Sequence, residues 1–269
     1  MLIKVFLALS GISPYVKKLL WRQWYQFLAG QHQTKDWSFM NYGYAPLDDH
    51  SETVKLNEAD EPDRYSIQLY HHVVSAVDLT DRDVLEIGSG RGGGASYIKR
   101  YLKPKGLTGV DFSDKAIQFC KHTHDADGLS FIKGDAESLP FNAERFDVVI
   151  NIESSHCYGS METFLAHAKR VLHHDGYFLY ADFRNKNDVA VLHRQIEKSG
   201  MKILKREDIT PNVVRSLDLD NQRKLLLIRA FFQNWLLKPF QEFAGVKGST
   251  IYSGFQSGTM IYLHYVLQK

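Results

Sequence analysis

The sequence has little cysteine, almost no net charge and no obvious targeting segment. Two cysteines in 269 residues are too few for a disulfide framework and predict a reducing compartment, most simply the cytoplasm. Lysine and arginine total 33 against 31 acidic residues, and a net charge of +2 provides no field that would attract nucleic acid. Residues 1–10 carry no small-residue cleavage pattern and are far too short to span a bilayer. We therefore predict a globular protein with no nucleic-acid partner.

The N-terminal segment combines apolar residues at helical spacing with a basic flank. Residues 15–29 are predicted to form an amphipathic helix, within an N-terminal lid of residues 1–57. The favoured interpretation is a helix packed over the main domain. The alternative is an interfacial helix that contacts a membrane peripherally and collects a lipid-like substrate there.

From residue 60 onwards, short apolar strands alternate with amphipathic helices. Asp60, with Pro62 after it, is predicted to cap the first of these helices. Strands that alternate with helices at this spacing require a parallel sheet covered on both faces, so the fold class is α/β, doubly wound. The strands are predicted at 83–87, 105–110, 129–133, 146–151, 177–182 and 201–207, and the helices between and after them at 95–102, 113–122, 161–172 and 188–199.

A glycine-rich loop, GSGRGGG, follows the first strand directly. Glycine allows a sharp turn and a close ligand approach, and ligands bind beyond the carboxyl ends of the strands in such sheets. The glycines alone are weak evidence, because dehydrogenases share them. Three acids sharpen the prediction: Glu86 lies within the first strand, Asp111 ends the second, and Asp135 follows the third. Together they predict a nucleotide-type site at one edge of the sheet.

The order of five motifs resembles one large enzyme family. VLEIGSGRGG, the acid at Asp111, GDAESLPF, FDVVIN and RVLHHDGYFLYAD are similar to the successive motifs of class I S-adenosylmethionine-dependent methyltransferases, over about residues 60–210. NYGYAP, ADEPDRYSIQLYH, GRGGGASY and NIESSHCY more narrowly resemble the phthiotriolone and phenolphthiotriolone dimycocerosates O-methyltransferases, which act on long-chain polyketide lipids. The resemblance implies S-adenosylmethionine as the cofactor and a seven-stranded sheet whose last strand, 259–268, is antiparallel.

The resemblance also implies which residues contact the cofactor. Glu86 is expected near the methionine amino end, Asp111 at the ribose, and Asp135 at the adenine edge. The alternative is that these acids only cap helices or open turns. The implied cofactor residues are Glu86, Gly88, Ser89, Gly90, Asp111, Phe112, Asp135, Ala136, Asn151 and Tyr44.

Methyl transfer to an alcohol needs a group that removes the hydroxyl proton. His156 follows the fourth strand, and its ordinary pKa of about 6.5 suits a general base near neutral pH. Asp182 ends the fifth strand and is predicted to orient the imidazole. The alternatives are a buried structural histidine and a helix cap. Cys157, beside His156, is interpreted as a packing residue.

The histidine spacing does not indicate a metal site. The pairs at 71–72, 122–124 and 173–174 have no cysteine or carboxylate partners at ligand spacing, and neighbours in a helix point apart. We predict no zinc. A magnesium site built from carboxylates at the sheet edge stays open, although no acidic cluster argues for it.

The segment before the last strand is rich in large apolar residues. A broad apolar helical face is predicted within a lid insertion of residues 210–258, broken at Pro239. With the N-terminal lid it is expected to line a pocket for a bulky hydrophobic acceptor; a homodimer interface is the alternative. The core domain is then residues 58–209 and 259–269. The predicted acceptor-binding residues are Trp37, Tyr42, Phe232 and Trp235.

These observations predict an O-methyltransferase for a hydroxyl of a polyketide- or lipid-like secondary metabolite. A carbon or nitrogen methyltransferase for a sterol-like or aromatic acceptor is the alternative, because GSGRGGGA also resembles sterol methyltransferases. The motif GDAESLPF and the terminal strand argue against a nicotinamide dehydrogenase as an interpretation of the same glycines. A protein that binds the cofactor without turnover is the remaining hypothesis.

Overall fold

The computed structural model describes residues 37–48 and 53–269. The predicted amphipathic helix at 15–29 lies outside these residues, so peripheral membrane contact stays a prediction. Within the described residues, no helix combines the length and the apolar character needed to cross a membrane.

Seven strands and eight α-helices make up the described part of the chain. Strands and helices alternate up to β6, except that β4 follows β3 with no helix between them. A 3-10 turn, Glu58–Asp63, precedes the first helix, and a π-helical turn, Ile98–Leu102, follows the second. The strands are β1 Asp83–Ile87, β2 Gly106–Asp111, β3 Leu129–Lys133, β4 Phe146–Ile152, β5 Leu172–Asn185, β6 Lys202–Asp208 and β7 Met260–Gln268. The helices are α1 Arg64–Val74, α2 Gly93–Tyr97, α3 Asp114–Thr123, α4 Met161–Val171, α5 Val189–Lys198, α6 Thr210–Phe231, α7 Asn234–Phe243 and α8 Thr250–Gln256.

The strands form one seven-stranded sheet in the order β3-β2-β1-β4-β5-β7-β6. The pairs among β1 to β5 are parallel, whereas β7 pairs antiparallel with both β5 and β6. The predicted doubly wound fold with an antiparallel last strand is confirmed. The chain reverses strand order after β3, returning to place β4 on the other side of β1, and ligands of open α/β sheets bind at such a reversal.

Both faces of the sheet are buried under helices. Residues from α1, α2, α3, α6 and α8 form a core with one face, and residues from α4 and α5 form a core with the other. Alternation along β1 sends Val84 to the first core and Leu85 to the second. This two-sided coverage is what a mainly parallel sheet requires.

Two local predictions are wrong. Asp60 does not cap α1, which begins at Arg64; its carboxylate instead accepts two hydrogen bonds from Arg100, at 2.7 and 2.8 Å. Pro239 does not break the insertion, because it lies inside α7, and the chain leaves the helical conformation at Phe232, the C-cap of α6. The helical insertion between β6 and β7 is itself confirmed.

Candidate active site

The glycine loop joins β1 to α2 through backbone conformations that glycine favours. Gly88, Gly90 and Gly92 have φ angles of 77°, 51° and 77°, all in the left-handed region. A Cβ on Gly88 would lie 2.3 Å from the Ser154 Oγ, so this position also excludes a side chain by contact. The backbone N–H groups of Gly88 and Ser89 donate to the Val110 carbonyl, which fixes the loop against the end of β2.

Glu86 is a buried carboxyl directly beneath this loop. Its Oε1 accepts a hydrogen bond of 2.7 Å from the Tyr70 hydroxyl of α1, whereas its Oε2 has no partner among the described residues. Burial raises the pKa of Glu86 to about 8, although the Tyr70 bond opposes the shift. The buried Ser89 Oγ and Asn151 Oδ1 likewise have no partner there. The site therefore holds buried polar atoms whose hydrogen bonds are not completed by these residues.

Asp111 lies at the end of β2, where the loop passes it. Its two carboxylate oxygens accept backbone N–H bonds from Gly90, at 2.9 Å, and Ser113, at 2.8 Å. Burial raises the pKa of Asp111 to about 6 against these bonds. Phe112 follows it and is half-buried. Each carboxylate oxygen has a second lone pair, so Asp111 can hold the loop and still accept bonds from ligand hydroxyls.

The third predicted acid, Asp135, lies in the turn after β3. Its Oδ1 accepts a 3.0 Å bond from the backbone of Glu137, and the next residue, Ala136, is buried. Asp135 is half-buried. The carboxyl ends of β1, β2 and β3 thus carry the three predicted acids along one edge of the sheet.

The end of β4 is bonded to the glycine loop by a side-chain network. The Asn151 Nδ2 donates to the Ile87 carbonyl at 2.9 Å and lies 2.7 Å from the Ser154 Oγ and 3.0 Å from the Tyr158 hydroxyl. Ser154 and Tyr158 also share a hydrogen bond of 2.9 Å. The sequence prediction included Asn151 but missed Ser154 and Tyr158, whose position in NIESSHCY was the only available signal.

His156 and Asp182 form a hydrogen-bonded pair just beyond this network. The His156 Nδ1 lies 2.8 Å from the Asp182 Oδ1, and the backbone N–H of His156 donates to Oδ2 at 2.9 Å. The His156 side chain is 14% exposed and that of Asp182 is fully buried. The imidazole also packs on the Phe183 ring, with 4.4 Å between centroids. The structure therefore brings together the two residues predicted to act as base and orienting acid.

Ser155 and Arg184 hold the same carboxylate from the other side. The Ser155 hydroxyl donates to the Asp182 Oδ2 at 2.6 Å, and the Arg184 guanidinium lies 3.3 Å from that oxygen. Both residues were missed from the sequence, although Arg184 follows Asp182 by two positions in a strand and so shares its face. A buried carboxylate with these partners is stabilised in its charged form.

The charges of this pair shift both pKa values. Burial opposes ionisation of Asp182, but His156 and Arg184 outweigh it and hold the pKa of that carboxyl well below its usual range. Burial likewise opposes a charged His156, but the Coulombic interactions and hydrogen bonds with Cys157 and Asp182 raise the pKa of His156 to about 10. The charged form of each residue of the pair therefore stabilises the charged form of the other.

A second carboxyl, Glu153, lies close by and was not predicted. It has a φ of 47°, a left-handed backbone that is rare outside glycine. Its Oε1 accepts bonds from the Tyr42 backbone N–H, at 2.8 Å, and the Tyr262 hydroxyl, at 2.9 Å. Burial raises the pKa of Glu153 to about 7. Glu153 therefore anchors the NYGYAP segment to the end of β4.

Aromatic residues surround the outer side of the loop. The Trp37 ring contacts Phe232 edge-on, at 5.4 Å between centroids, and Phe232 stacks on Phe240. The Arg91 guanidinium, from the glycine loop, lies 5.2 Å from the Trp37 centroid. Trp235, in contrast, is 67% exposed and is not part of this cluster. Two of the four predicted acceptor residues thus meet next to the loop.

The two tyrosines predicted to contact ligands, Tyr42 and Tyr44, lie in different parts of the structure. Tyr42 is buried, and its ring packs on Phe183, the residue that also contacts His156. Tyr44 is not brought to the glycine loop: its ring stacks on His72 at 4.2 Å, on the side of the sheet where β6 and β7 lie. The cofactor contact of Tyr44 stays a prediction.

Comparison with known proteins gives a consistent family assignment. The family model described as a methyltransferase domain matches residues 85–180. The chain is 36% identical over 266 residues to a phthiotriol/phenolphthiotriol dimycocerosates methyltransferase of Mycobacterium tuberculosis, covering 98% of this chain and 96% of that protein. It is 38% identical over 218 residues to a fatty-acid O-methyltransferase of Mycolicibacterium smegmatis, covering 80% and 79%.

A solved structure shares the fold at low sequence identity. The geranyl diphosphate C-methyltransferase of Streptomyces coelicolor, in complex with Mg²⁺, geranyl diphosphate and S-adenosyl-L-homocysteine, aligns with a TM-score of 0.63 and 14% identity. The alignment covers 91% of this chain and 98% of that one. At this identity the likeness concerns the fold alone.

Proposed function

The chain belongs to the family of S-adenosylmethionine-dependent methyltransferases that includes the phthiotriol/phenolphthiotriol dimycocerosates methyltransferases, and from this membership we propose that it methylates a hydroxyl group of a bulky, hydrophobic small molecule. S-adenosylmethionine is its cofactor. The relatives' names support the acceptor class, since they specify dimycocerosate lipids and fatty acids.

The residues at the sheet edge fit this cofactor. The unpartnered Oε2 of Glu86 offers an acceptor for an amino group, and Asp111 offers lone pairs for ribose hydroxyls. The left-handed glycines leave the loop without side chains that would block a close approach. When bound, S-adenosylmethionine supplies an electrophilic methyl group on a positively charged sulfur. We propose that Gly88, Ser89 and Gly90 of the loop line its site.

The single observation that carries the proposal is the His156–Asp182 pair beside this edge. Because Nδ1 bonds Asp182, proton exchange with an acceptor hydroxyl would run through Nε2, the other ring nitrogen. Asp182 would stabilise the imidazolium that forms, and Ser155 and Arg184 keep Asp182 charged. The raised pKa of His156 makes it a strong base once deprotonated, so the active fraction should increase with pH.

The acceptor is proposed to lie against the aromatic residues. Trp37 and Phe232 provide an apolar wall next to the glycine loop, and the Tyr42 ring packs on Phe183, which contacts the imidazole. Such a lining favours a large apolar body with one polar group at the reacting end. We propose that residues 210–258, together with the N-terminal segment, form the lid over this pocket.

Comparing two kinds of acceptor tests the proposal. A long-chain secondary alcohol needs a base, whereas the carboxyl group of a fatty acid is already ionised near neutral pH. We expect His156→Ala to lower the rate with the alcohol by about 100-fold or more and to leave any transfer to the fatty acid nearly unchanged. Equal rates of alcohol methylation in the variant and the wild type would refute the role of His156.

Product analysis separates this proposal from the other methyltransferase reactions. Proton–carbon correlation spectra of the purified product show whether the new methyl group is on oxygen, carbon or nitrogen. A methyl ether supports the proposal, and a carbon- or nitrogen-bound methyl group contradicts it. Binding of S-adenosylhomocysteine without turnover of any hydrophobic alcohol would instead indicate a non-catalytic binding protein.

A further inference from the structure

Three potential metal ligands meet far from the glycine loop, where α1 covers the edge of the sheet. His72 of α1, Glu207 of β6 and His264 of β7 form what we call the edge triad. Glu207 Oε2 lies 3.0 Å from the His72 Nε2 and 3.3 Å from the His264 Nδ1. The three ligand atoms all lie within 4.8 Å of one another. The residues come from three elements separated by more than fifty positions, so only the fold brings them together.

The spacing matches a small metal ion. Histidine nitrogens and carboxylate oxygens bind Zn²⁺ at about 2.0–2.2 Å, and tetrahedral bonds of that length place ligand atoms about 3.4 Å apart. The nitrogen–oxygen distances in the edge triad are already close to this separation. The two imidazole nitrogens lie within 4.8 Å of each other, so side-chain rotations that bring them closer by up to about 1.4 Å would complete the geometry. Two imidazoles with one carboxylate is a ligand set that suits Zn²⁺ and its transition-metal neighbours rather than Mg²⁺ or Ca²⁺.

The hydrogen bonds of the two imidazoles also suit a metal, because the ring nitrogens that face Glu207 bond that carboxylate. The His264 Nε2 has no partner among the described residues. Moving the ring proton from Nδ1 to Nε2 therefore breaks only the bond to Glu207, which the metal would replace.

The Glu207 carboxylate already has a cationic partner that would compete with a metal ion. The Lys205 ammonium lies 2.8 Å from the same Glu207 Oε2, and Lys205 is exposed on the edge strand β6. This lysine can swing into solvent without breaking any buried contact, and Glu207 itself is 34% exposed. The ion can thus enter from the edge of the sheet, where it must compete with Lys205 for the Glu207 carboxylate.

From this geometry we propose that the edge triad binds a divalent transition-metal ion of the Zn²⁺ class. The ion would cross-link α1 to β6 and β7 and hold His72 beneath the ring of Tyr44. The site is separate from the glycine loop: three strands, β4, β5 and β7, lie between β1 and β6. The role is therefore stabilising rather than catalytic, and it does not depend on the proposed function.

Calorimetric titration of the full chain with ZnCl₂, without cofactor, tests the proposal. We expect binding at the edge triad that weakens by at least about 10-fold in His72→Ala and in Glu207→Gln, both of which alter partly exposed residues. Lys205→Met should tighten binding, because it removes the competing charge. The matched control is His174→Ala, an exposed histidine on β5 that should leave the titration unchanged. Circular dichroism of each variant verifies that it is folded.

Thermal melting and Co²⁺ spectra give independent readouts. At about 100-fold excess over the dissociation constant, Zn²⁺ should raise the melting temperature of the wild type by about 5–10 °C. The shift should be absent in His72→Ala and Glu207→Gln, and Co²⁺ should give visible bands of nitrogen and oxygen ligation only when the edge triad is intact. The proposal would be overturned if Zn²⁺ bound the wild type, His72→Ala and Glu207→Gln with equal affinity and raised their melting temperatures equally. So would a folded wild type that does not bind Zn²⁺.

Discussion

Replacing Asp182 by asparagine should move the pH dependence of catalysis. The change keeps the size of the side chain but removes the charge that faces His156 at 2.8 Å. An opposite charge at such a distance raises a histidine pKa by about 1–3 pH units, and that increase should disappear from the pKa of about 10. The acid limb of kcat/KM against pH should therefore shift by about 1–3 units to lower pH. Its direction follows because a less stabilised imidazolium loses its proton more readily.

The same change should slow the reaction above that limb. Each pH unit of lost stabilisation is worth about 1.4 kcal/mol, so the imidazolium formed in the transition state should cost about 1.4–4 kcal/mol more. The alkaline plateau should then fall by about 10- to 1000-fold.

Methyl transfer to a long-chain alcohol, measured between about pH 6 and 11, gives the profile and reaches the plateau. An NMR titration of the His156 ring checks its pKa directly. Asp188→Asn, at an exposed acid just after β5, is the matched control and should change neither the limb nor the plateau. An acid limb at the same pH in Asp182→Asn and the wild type would show that the Asp182 charge does not control the pKa of His156.

Further predictions concern the cofactor edge and the acceptor wall. The pKa of Glu86 is higher in the folded than in the unfolded protein, so the folded protein loses stability as pH rises from the unfolded pKa to the folded pKa. Glu86→Gln should therefore raise the melting temperature at pH 8 but not at pH 4.5. The same variant should weaken S-adenosylhomocysteine binding in calorimetry. Gly88→Ala should lower the unfolding free energy by about 1–3 kcal/mol in urea melts, more than Gly248→Ala, which shares a positive φ but contacts nothing. Trp37→Ala should raise KM for a long-chain acceptor several-fold without changing cofactor affinity, whereas Trp235→Ala, at an exposed ring, should change neither. Equal effects of the two tryptophan variants, or of the two glycine variants, would contradict these assignments.

The parallel part of the sheet could be predicted because its signals are local. The bounds of β1 and β3 agree with the sequence prediction, since short apolar runs between glycine, proline and polar residues define each strand. Asp111 and Asp135 were found for the same reason: a residue at the end of a parallel strand has a known position relative to the edge. Local pattern and strand direction were sufficient there.

Contacts between distant segments could not be predicted in the same way. Histidine spacing along the chain predicts no metal site, whereas His72, Glu207 and His264 meet only through the pairing of β6 with β7 and the packing of α1. Tyr44 was assigned to the cofactor by its motif, but its partner His72 depends on how the segment crosses α1. Pro239 breaks no helix: it lies in the middle of α7, and the chain leaves the helical conformation earlier, at Phe232.

A crystal structure of the complex with S-adenosylhomocysteine is the decisive measurement for the proposed site. We expect the amino group to contact Glu86, the ribose to contact Asp111, and the His156 imidazole to face the sulfur across an open cavity. S-adenosylhomocysteine bound elsewhere on the chain would contradict this expectation. So would a complex in which protein atoms separate the imidazole from the sulfur.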